Sequence, residues 1–492
     1  MTFIQSLLKP DAYPHPVSAI ELLETHISWV ILTGQYAYKI KKAVRFDFLD
    51  FSTLEKRHFC CDEELRLNHR FAPNLYLQVV PITETVKNAQ INGDGEIIEY
   101  ALQMRQFSAS QLLSDMAKQG RLEAEMIDQL ADLIANFHHY ADVDRSDSCY
   151  GSQAEIRHWF LGNFANIRPL VTDDEFLQQL TRLEMWGEKE LLKHKSLIQQ
   201  RKQQGFIREC HGDLHLGNIA LLDNRVTPFD GIEFNPALRW IDVIDEVTFV
   251  MMDLMQHNLE SFAYRFLNRY LHHSGDYQSL NLLRYYWVYR ALVRTKVALL
   301  CQPPNLQEAK RYADLAEDFT EVKTPFLLIT HGYSGSGKST FSAKLAETLG
   351  MIHLRSDVER QRFFSKTENK YSTEHTQQIY QTLADFTADI LAAGFSVIVD
   401  ATFLKLEQRA LFQTLATNQQ ARFVILDFQA TEEELRCRII QRQQLGQDAS
   451  EATLTVLQQQ IKTAQSLTTN ELTTVIQVDN KANTLEKLFH HL

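Results

Sequence analysis

Residues 326–340 read FLLITHGYSGSGKST, an apolar run closed by a glycine- and serine-rich loop. Within it, Gly332-Tyr333-Ser334-Gly335-Ser336-Gly337-Lys338-Ser339 fits the pattern GxxxxGK[ST], and Thr340 follows. Glycines in that pattern turn backbone N–H groups inward around phosphates, the lysine reaches the terminal phosphates, and the last hydroxyl meets Mg²⁺. The surroundings agree with this reading. FLLIT has the form of a buried strand, and Phe341, Leu345 and Leu349 recur every four residues before Gly350, where a glycine ends a helix. Strand, loop and helix in that order aim the positive end of a helix at bound phosphates. A flexible Gly/Ser turn is the alternative. Gly332, Ser334, Gly335, Ser336, Gly337, Lys338, Ser339 and Thr340 are thus the candidates for holding ATP, with Ser339 also facing Mg²⁺.

Outward from this loop, IHLRS, FSVIVD, RFVILDF and TTVIQV alternate with amphipathic stretches, which predicts an α/β domain with a five-stranded parallel sheet wrapped by helices. Such sheets carry their chemistry at the carboxyl ends of strands, and two acids fall there, Asp357 after IHLRS and Asp400 closing FSVIV. Asp400 has the form of a residue that holds Mg²⁺ through water, and Asp357 could accept a proton from a substrate hydroxyl. Either could instead serve as a helix N-cap. Arg436, Arg438 and Arg442 lie on one helical stretch, and one or two of them, Arg442 first, could close over the phosphates; surface helix arginines are the plain alternative. Two glutamine-rich patches, Gln441 to Gln447 and Gln458 to Gln460, read as solvated helix faces.

This half resembles the P-loop kinases of the nucleoside-kinase, gluconate-kinase, polynucleotide 5′-hydroxyl-kinase and zeta-toxin type. The likeness rests on the phosphate loop, on Ser356-Asp357-Arg360 as SDxxR, and on the arginine helix followed by DASEA. The resemblance implies phosphorylation of a hydroxyl, with Asp357 as catalytic base and Arg360 as a substrate or phosphate contact.

A second constellation lies upstream. His211-Gly212-Asp213-Leu-His215-Leu-Gly217-Asn218 precedes Phe229-Asp230-Gly231, so an Asp is followed by an Asn and then by another Asp, as in a protein-kinase catalytic loop and its metal-binding Asp. A base must take the proton of the attacking hydroxyl, here Asp213, while an amide oxygen and a carboxylate, Asn218 and Asp230, hold Mg²⁺ against the phosphates. Asp223-Asn224 supplies the hairpin turn between them. Metal ligation by His211 and His215 would need an HExxH-like helix, and Gly212 and Gly217 make this a loop. Further upstream, YAYKIK puts Lys39 and Lys41 on one strand face. A kinase needs such a lysine for the α and β phosphates, and its acidic partner belongs on the following helix, which opens with Ser52-x-x-Glu55 as a capping box and carries Glu63 and Glu64. Lys39 with Glu64 is the preferred pair; solvated charges are the alternative.

HGDLHLGN with FDG resembles the aminoglycoside phosphotransferase and choline-kinase superfamily, which implies a bilobal protein-kinase-like fold and a small hydroxylated substrate. No GxGxxG stands between the first strands, so the loop covering the phosphates is atypical. The whole order, including FNPALRWIDVIDE at 234–246 and MDL at Met252 to Leu254, resembles bacterial two-domain proteins that join such a domain to an ATP-binding one.

The expected organisation is an α+β bilobal kinase-like domain at residues 1–324, with a small lobe to about 107, a large lobe to about 300 and a linker helix over 301–324, then a P-loop domain at 325–492. Of the 492 residues, 45% are hydrophobic and 23% charged, as in an ordinary globular chain. Lys and Arg number 50 against 62 Asp and Glu, a net charge of −12 that speaks against generic binding to nucleic-acid backbones or anionic lipid. The six cysteines show no CxxC spacing, and no apolar run spans a membrane, so a cytoplasmic location with no membrane partner is expected. The reading is an ATP- and Mg²⁺-dependent enzyme with two phosphotransfer sites acting on small-molecule hydroxyls. Its alternative is one active kinase, in which a nucleic-acid 5′-hydroxyl could serve the P-loop half, with the other half a regulatory nucleotide sensor.

Overall fold

The computed structural model describes residues 3–46, 49–84, 88–145, 148–301, 303–364, 372–445 and 450–478. They gather into two compact units. The first takes in Met1–Gln129, Tyr140–His158 and Lys195–Asp253; the second takes in Leu130–His139, Trp159–His194 and Leu254–Leu492. As read from the sequence, an α+β part with an antiparallel sheet precedes an α/β part with a five-stranded parallel sheet, but the units do not divide at 324.

The first unit is built on an antiparallel six-stranded sheet of β1 (Glu21–Glu24), β2 (Ser28–Leu32), β3 (Tyr36–Lys41), β4 (Tyr76–Glu84), β5 (Ala89–Ile91) and β6 (Glu96–Arg105), in the order β1-β2-β3-β6-β4-β5. Ile31, Tyr38, Ile40, Val80 and Ile82 fill its core, because alternate residues of each strand share a face. Helix α1 (Leu54–Asn68) is capped by Thr53, whose hydroxyl accepts from the Lys56 N–H; Ser52, the expected cap, instead donates to Asp50. The later hairpin of β7 (Ile219–Leu222) and β8 (Arg225–Pro228) turns at Asp223 and Asn224, with φ of 49° and 59°. A two-residue hairpin loop needs both central residues left-handed, and Asp and Asn tolerate that best after glycine. Helix α2 (Val243–Gln256) follows.

In the second unit all five expected strands form, β9 (Phe326–His331), β10 (Ile352–Arg355), β11 (Val397–Asp400), β12 (Arg422–Phe428) and β13 (Val475–Val478). They pair in parallel in the order β10-β11-β9-β12-β13. The middle of β9 is buried residue after residue, as befits a strand covered on both faces. Leu328, Leu345, Ile398, Leu426 and Ile476 knit the sheet to its helices.

Helices α3 (Glu260–Ser274) and α4 (Leu280–Leu300), expected on the far side of the 324 cut, belong to this unit. The Asn268 side chain donates to the Met351 carbonyl and accepts from the His353 N–H, both at the edge strand β10, at 2.9 and 2.8 Å. Arg284 on α4 donates to the carbonyls of Ala393 and Gly394 just before β11. An edge strand left bare exposes unpaired backbone, and here α3 covers it through the Asn268 amide. Among the described residues no helix is long and apolar enough to cross a membrane.

Candidate active sites

In the first unit the chain brings its predicted residues together around β3, α1 and the turn after β8. Lys39 Nζ lies 2.8 Å from Glu64 Oε1 and donates as well to Asp230. Glu64 gives its other oxygen to Lys41 at 2.7 Å, and Lys41 also pairs with Glu233. Glu64 is fully buried, which alone would raise its pKa, but the two ammonium groups more than offset this and hold it below the usual carboxylate range. Burial opposes the charge of Lys39 too, and Asp230 and Glu64 overcome it, so that its pKa stands well above the ordinary lysine value. Lys41 and Glu233 were not singled out from the sequence. The alternation of YAYKIK had already put Lys41 on the face of Lys39, whereas nothing local marked Glu233 as its partner.

Asp230 sits at φ 63°, an uncommon conformation for a non-glycine residue, held by its own N–H donating to the buried Tyr76 hydroxyl at 2.9 Å. The neighbouring Gly231 N–H donates to Asn68 Oδ1 at 2.9 Å. The expected catalytic loop is fixed from beneath by acids of α2. Glu246 Oε1 accepts the N–H groups of His211 and Gly212 at 2.6 and 2.8 Å, and Asp253 accepts that of Leu216 at 2.8 Å. These acids belong to the IDVIDE and MDL segments. His211 Nε2 lies 2.8 Å from the Phe229 carbonyl while its Nδ1 accepts from the Asp213 N–H, which places the ring proton on Nε2; burial pushes its pKa down and keeps the ring neutral. His215 Nδ1 accepts from the Gly217 N–H, so both histidines are engaged in shaping the loop.

Asn218 Nδ2 donates to Asp213 Oδ2 at 2.9 Å and to the Asp213 carbonyl at 3.0 Å. With its NH₂ directed there, the amide oxygen is the end left for a cation. A carboxylate at Asp230 and an amide oxygen at Asn218 form an all-oxygen donor set, which suits Mg²⁺. Asp213 keeps about a third of its side chain exposed, as a base that meets an outside hydroxyl must.

In the second unit, Gly332, Gly335 and Gly337 take φ of 149°, 88° and 91°, values that side chains with a Cβ rarely adopt. Helix α5 (Lys338–Leu349) starts directly at Lys338 and ends at Gly350 in the left-handed region. Lys338 Nζ donates to the Tyr333 carbonyl at 2.7 Å and contacts Ser336 Oγ at 3.3 Å. Burial lowers its pKa to about 8, against the opposing pull of Asp400 and Asp357. Burial would raise the pKa of Asp400, but His353, with Nε2 3.4 Å away, Arg355 and, least of the three, the Ser339 hydroxyl bring it to about 2. Asp400 with Ser339 is the donor pair expected to face Mg²⁺ at a phosphate loop. Thr340, also expected at the phosphates, is an exposed residue of the first helical turn.

Asp357 lies in the first turn of α6 (Ser356–Phe363), whose N-cap is Arg355, so Asp357 is not a cap. Arg360 is buried one turn on, and both charges reach the Tyr380 hydroxyl, whose pKa is raised chiefly by burial. The three arginines on α7 (Glu432–Leu445) separate. Arg438 donates to the Gly335 carbonyl at 3.3 Å, Arg442 donates to the Ala452 carbonyl at 3.0 Å with its charge felt at Lys338, and Arg436 pairs with Glu432 at the surface. Residues 446–449, which include the start of DASEA, lie outside the described residues.

Residues 327–467 match a family model described as an AAA domain. Uncharacterized proteins of Mycobacterium bovis and Mycobacterium tuberculosis are each 29% identical to this chain over 457 residues, 89% of this chain and 89% of theirs. Among solved structures, a choline/ethanolamine kinase family protein from Mesorhizobium loti is similar over 68% of this chain and 92% of its own, with a TM-score of 0.38 and 11% identity. A putative kinase from Chloroflexus aurantiacus is similar over 35% of this chain and 100% of its own, with a TM-score of 0.29 and 23% identity.

Proposed function

We propose that the chain is an ATP-dependent phosphotransferase with two nucleotide sites, each moving the γ-phosphoryl group to a hydroxyl of a small molecule. One observation carries the reading. Each unit, within itself, sets a largely shielded lysine among carboxylates: Lys39 bonded to Glu64 and Asp230, and Lys338 of the phosphate loop in the field of Asp400 and Asp357.

In the first site Asp213 accepts the proton of the acceptor hydroxyl as that oxygen attacks the γ-phosphorus and ADP leaves. Lys39 steadies the phosphates and Glu64 steadies Lys39. Asn218 and Asp230 would hold Mg²⁺, which spreads the charge of the transferring group. In the second site the N–H groups after Gly335 and the Lys338 ammonium cradle the phosphates, and Ser339 and Asp400 would hold the ion. Asp357 is the base, and Arg360 and Arg442 lend positive charge.

The test is ATP consumption against pooled hydroxylated metabolites, run on the wild type, Asp213→Asn, Lys338→Ala and the double variant. Acceptors whose turnover falls with one single variant belong to that site. Consumption unchanged in the double variant would reject both assignments.

A further inference from the structure

The phosphate loop divides its polar groups between two directions. Inward, the N–H groups of Gly335, Gly337, Lys338 and Ser339 meet no protein acceptor among the described residues. Outward, the loop is tied at three points: the Gly332 N–H donates to the Thr402 carbonyl at 3.1 Å, the Gly335 carbonyl accepts from Arg438, and Ser334 is gripped by Gln460. The Ser334 N–H donates to Gln460 Oε1 at 3.0 Å, and Gln460 Nε2 donates to Ser334 Oγ at 3.0 Å.

Gln460 lies on α8 (Leu454–Thr463) and closes the Gln458 to Gln460 patch expected to be a solvated face. Gln458 and Gln459 are indeed exposed. Gln460 is turned inward by its own helix, because Leu457, one turn before it, is buried with Leu435 and Ile439 against Tyr333 of the loop. The carboxamide suits a hydroxyl-bearing residue at this position: one end accepts the backbone N–H and the other donates to the hydroxyl. The pattern GxxxxGK[ST] leaves the residue at 334 free, whereas Gln460 gives the Ser334 hydroxyl a partner.

We infer that Gln460 is a positioning residue of the phosphate loop, which it holds in the nucleotide-binding conformation through Ser334. This rests on the proposed nucleotide site. It also reassigns Ser334, expected among the phosphate ligands, to bracing the loop. A loop already in its binding geometry loses no ordering entropy when phosphates arrive, so removing the brace should weaken every nucleotide that uses the loop. The weakening should be equal for ATP and ADP, which share the phosphates that the backbone N–H groups cradle.

The experiment is calorimetric titration of Mg-ATP and Mg-ADP into the full chain carrying Asp230→Ala, which weakens the first site, at nucleotide concentrations where that chain binds one equivalent, alone and with added variants. Gln460→Met keeps the bulk of the side chain and removes its polar atoms. Its dissociation constants should rise about tenfold for both nucleotides, as expected when a buried donor loses its partner. Ser334→Ala, which loses only the hydroxyl bond, should cost about threefold. The double variant should match Gln460→Met alone, because both substitutions remove one interaction. Lys338→Ala must abolish binding here, and if it does not, the nucleotide site itself is wrongly placed. If Lys338→Ala abolishes binding while Gln460→Met binds both nucleotides as the parent does, or if the two single effects multiply in the double variant, the positioning role is overturned.

Discussion

Lys41 Nζ lies 2.7 Å from Glu64 Oε2, and both side chains are almost wholly shielded from water. Glu64 thereby keeps a partner that is independent of Lys39. With Lys39 engaged by phosphates, as proposed, Lys41 would still compensate the buried carboxylate.

Lys41→Met should therefore act on stability more than on chemistry. Two buried carboxylates lose their shared cation, a loss that costs roughly 3–5 kcal/mol. Lys39→Met should cost less, because Asp230 is partly exposed and can be rehydrated, while reducing turnover at the first site more severely. Thermal unfolding of both variants checks the order.

Asp213→Asn should abolish transfer at the first site with nucleotide binding retained, since the proposed base acts on the acceptor hydroxyl and not on the nucleotide. Asp230→Ala should lower both Mg²⁺-dependent nucleotide affinity and turnover, by about 10²-fold or more in turnover, as for loss of a charge-stabilising group. Single-turnover kinetics on an identified acceptor, with Lys338→Ala in the background, separates the two. Normal turnover in Asp213→Asn would show that HGDLHLGN serves only to shape the loop.

The phosphate loop should show a pH signature. Lys338 titrates near 8 in the free protein, below its ordinary 10.5, because burial disfavours its charge. It is protonated below that value and loses its proton as the pH rises through it, whereas bound phosphates favour the charged form. Mg-ATP affinity should fall above pH 8, and binding there should take up protons, measurable by calorimetry in buffers of different ionisation enthalpy. For folding the sign is opposite to that of a stabilising pair. The unfolded chain binds this proton more tightly, so the cost of burying Lys338 is greatest below pH 8 and fades between pH 8 and 10.5. Lys338→Arg should flatten the affinity profile.

Residues 325–492 expressed alone should not unfold cooperatively. Cutting there strips Asn268 from the edge strand β10 and Arg284 from the carbonyls before β11. Within the full chain, Asn268→Ala leaves the Met351 carbonyl and His353 N–H without their partner and should destabilise by about 1–3 kcal/mol. Denaturant unfolding of the fragment and the variant tests this; a cooperative transition in the fragment would restore the boundary near 324.

Much was determined by the sequence alone, and where it succeeded the signal was local. The five parallel strands were legible because a strand buried on both faces must be apolar throughout, as in FLLIT and FSVIVD. The hairpin turn at Asp223-Asn224, the phosphate loop and the spacing from Asp213 through Asn218 to Asp230 were legible because conformation or chemistry fixes residue types at short intervals. The pairing of Lys39 with Glu64 followed from strand alternation and helix order together. What only the tertiary structure decided were contacts between residues far apart in the chain: Lys41 with Glu233, Gln460 with Ser334, and Asn268 with the edge of the parallel sheet. A glutamine on a solvated face and one gripping a loop are written with the same letter at the same helical spacing. Pro303-Pro304 and Asn305 mark a break and a helix start, but a break in local structure is not a break in packing, and α3 and α4, before it, belong to the unit of the parallel sheet. Which surface a helix covers is set by the shape and hydrogen-bonding demand of its partner, and that information is held jointly by both elements.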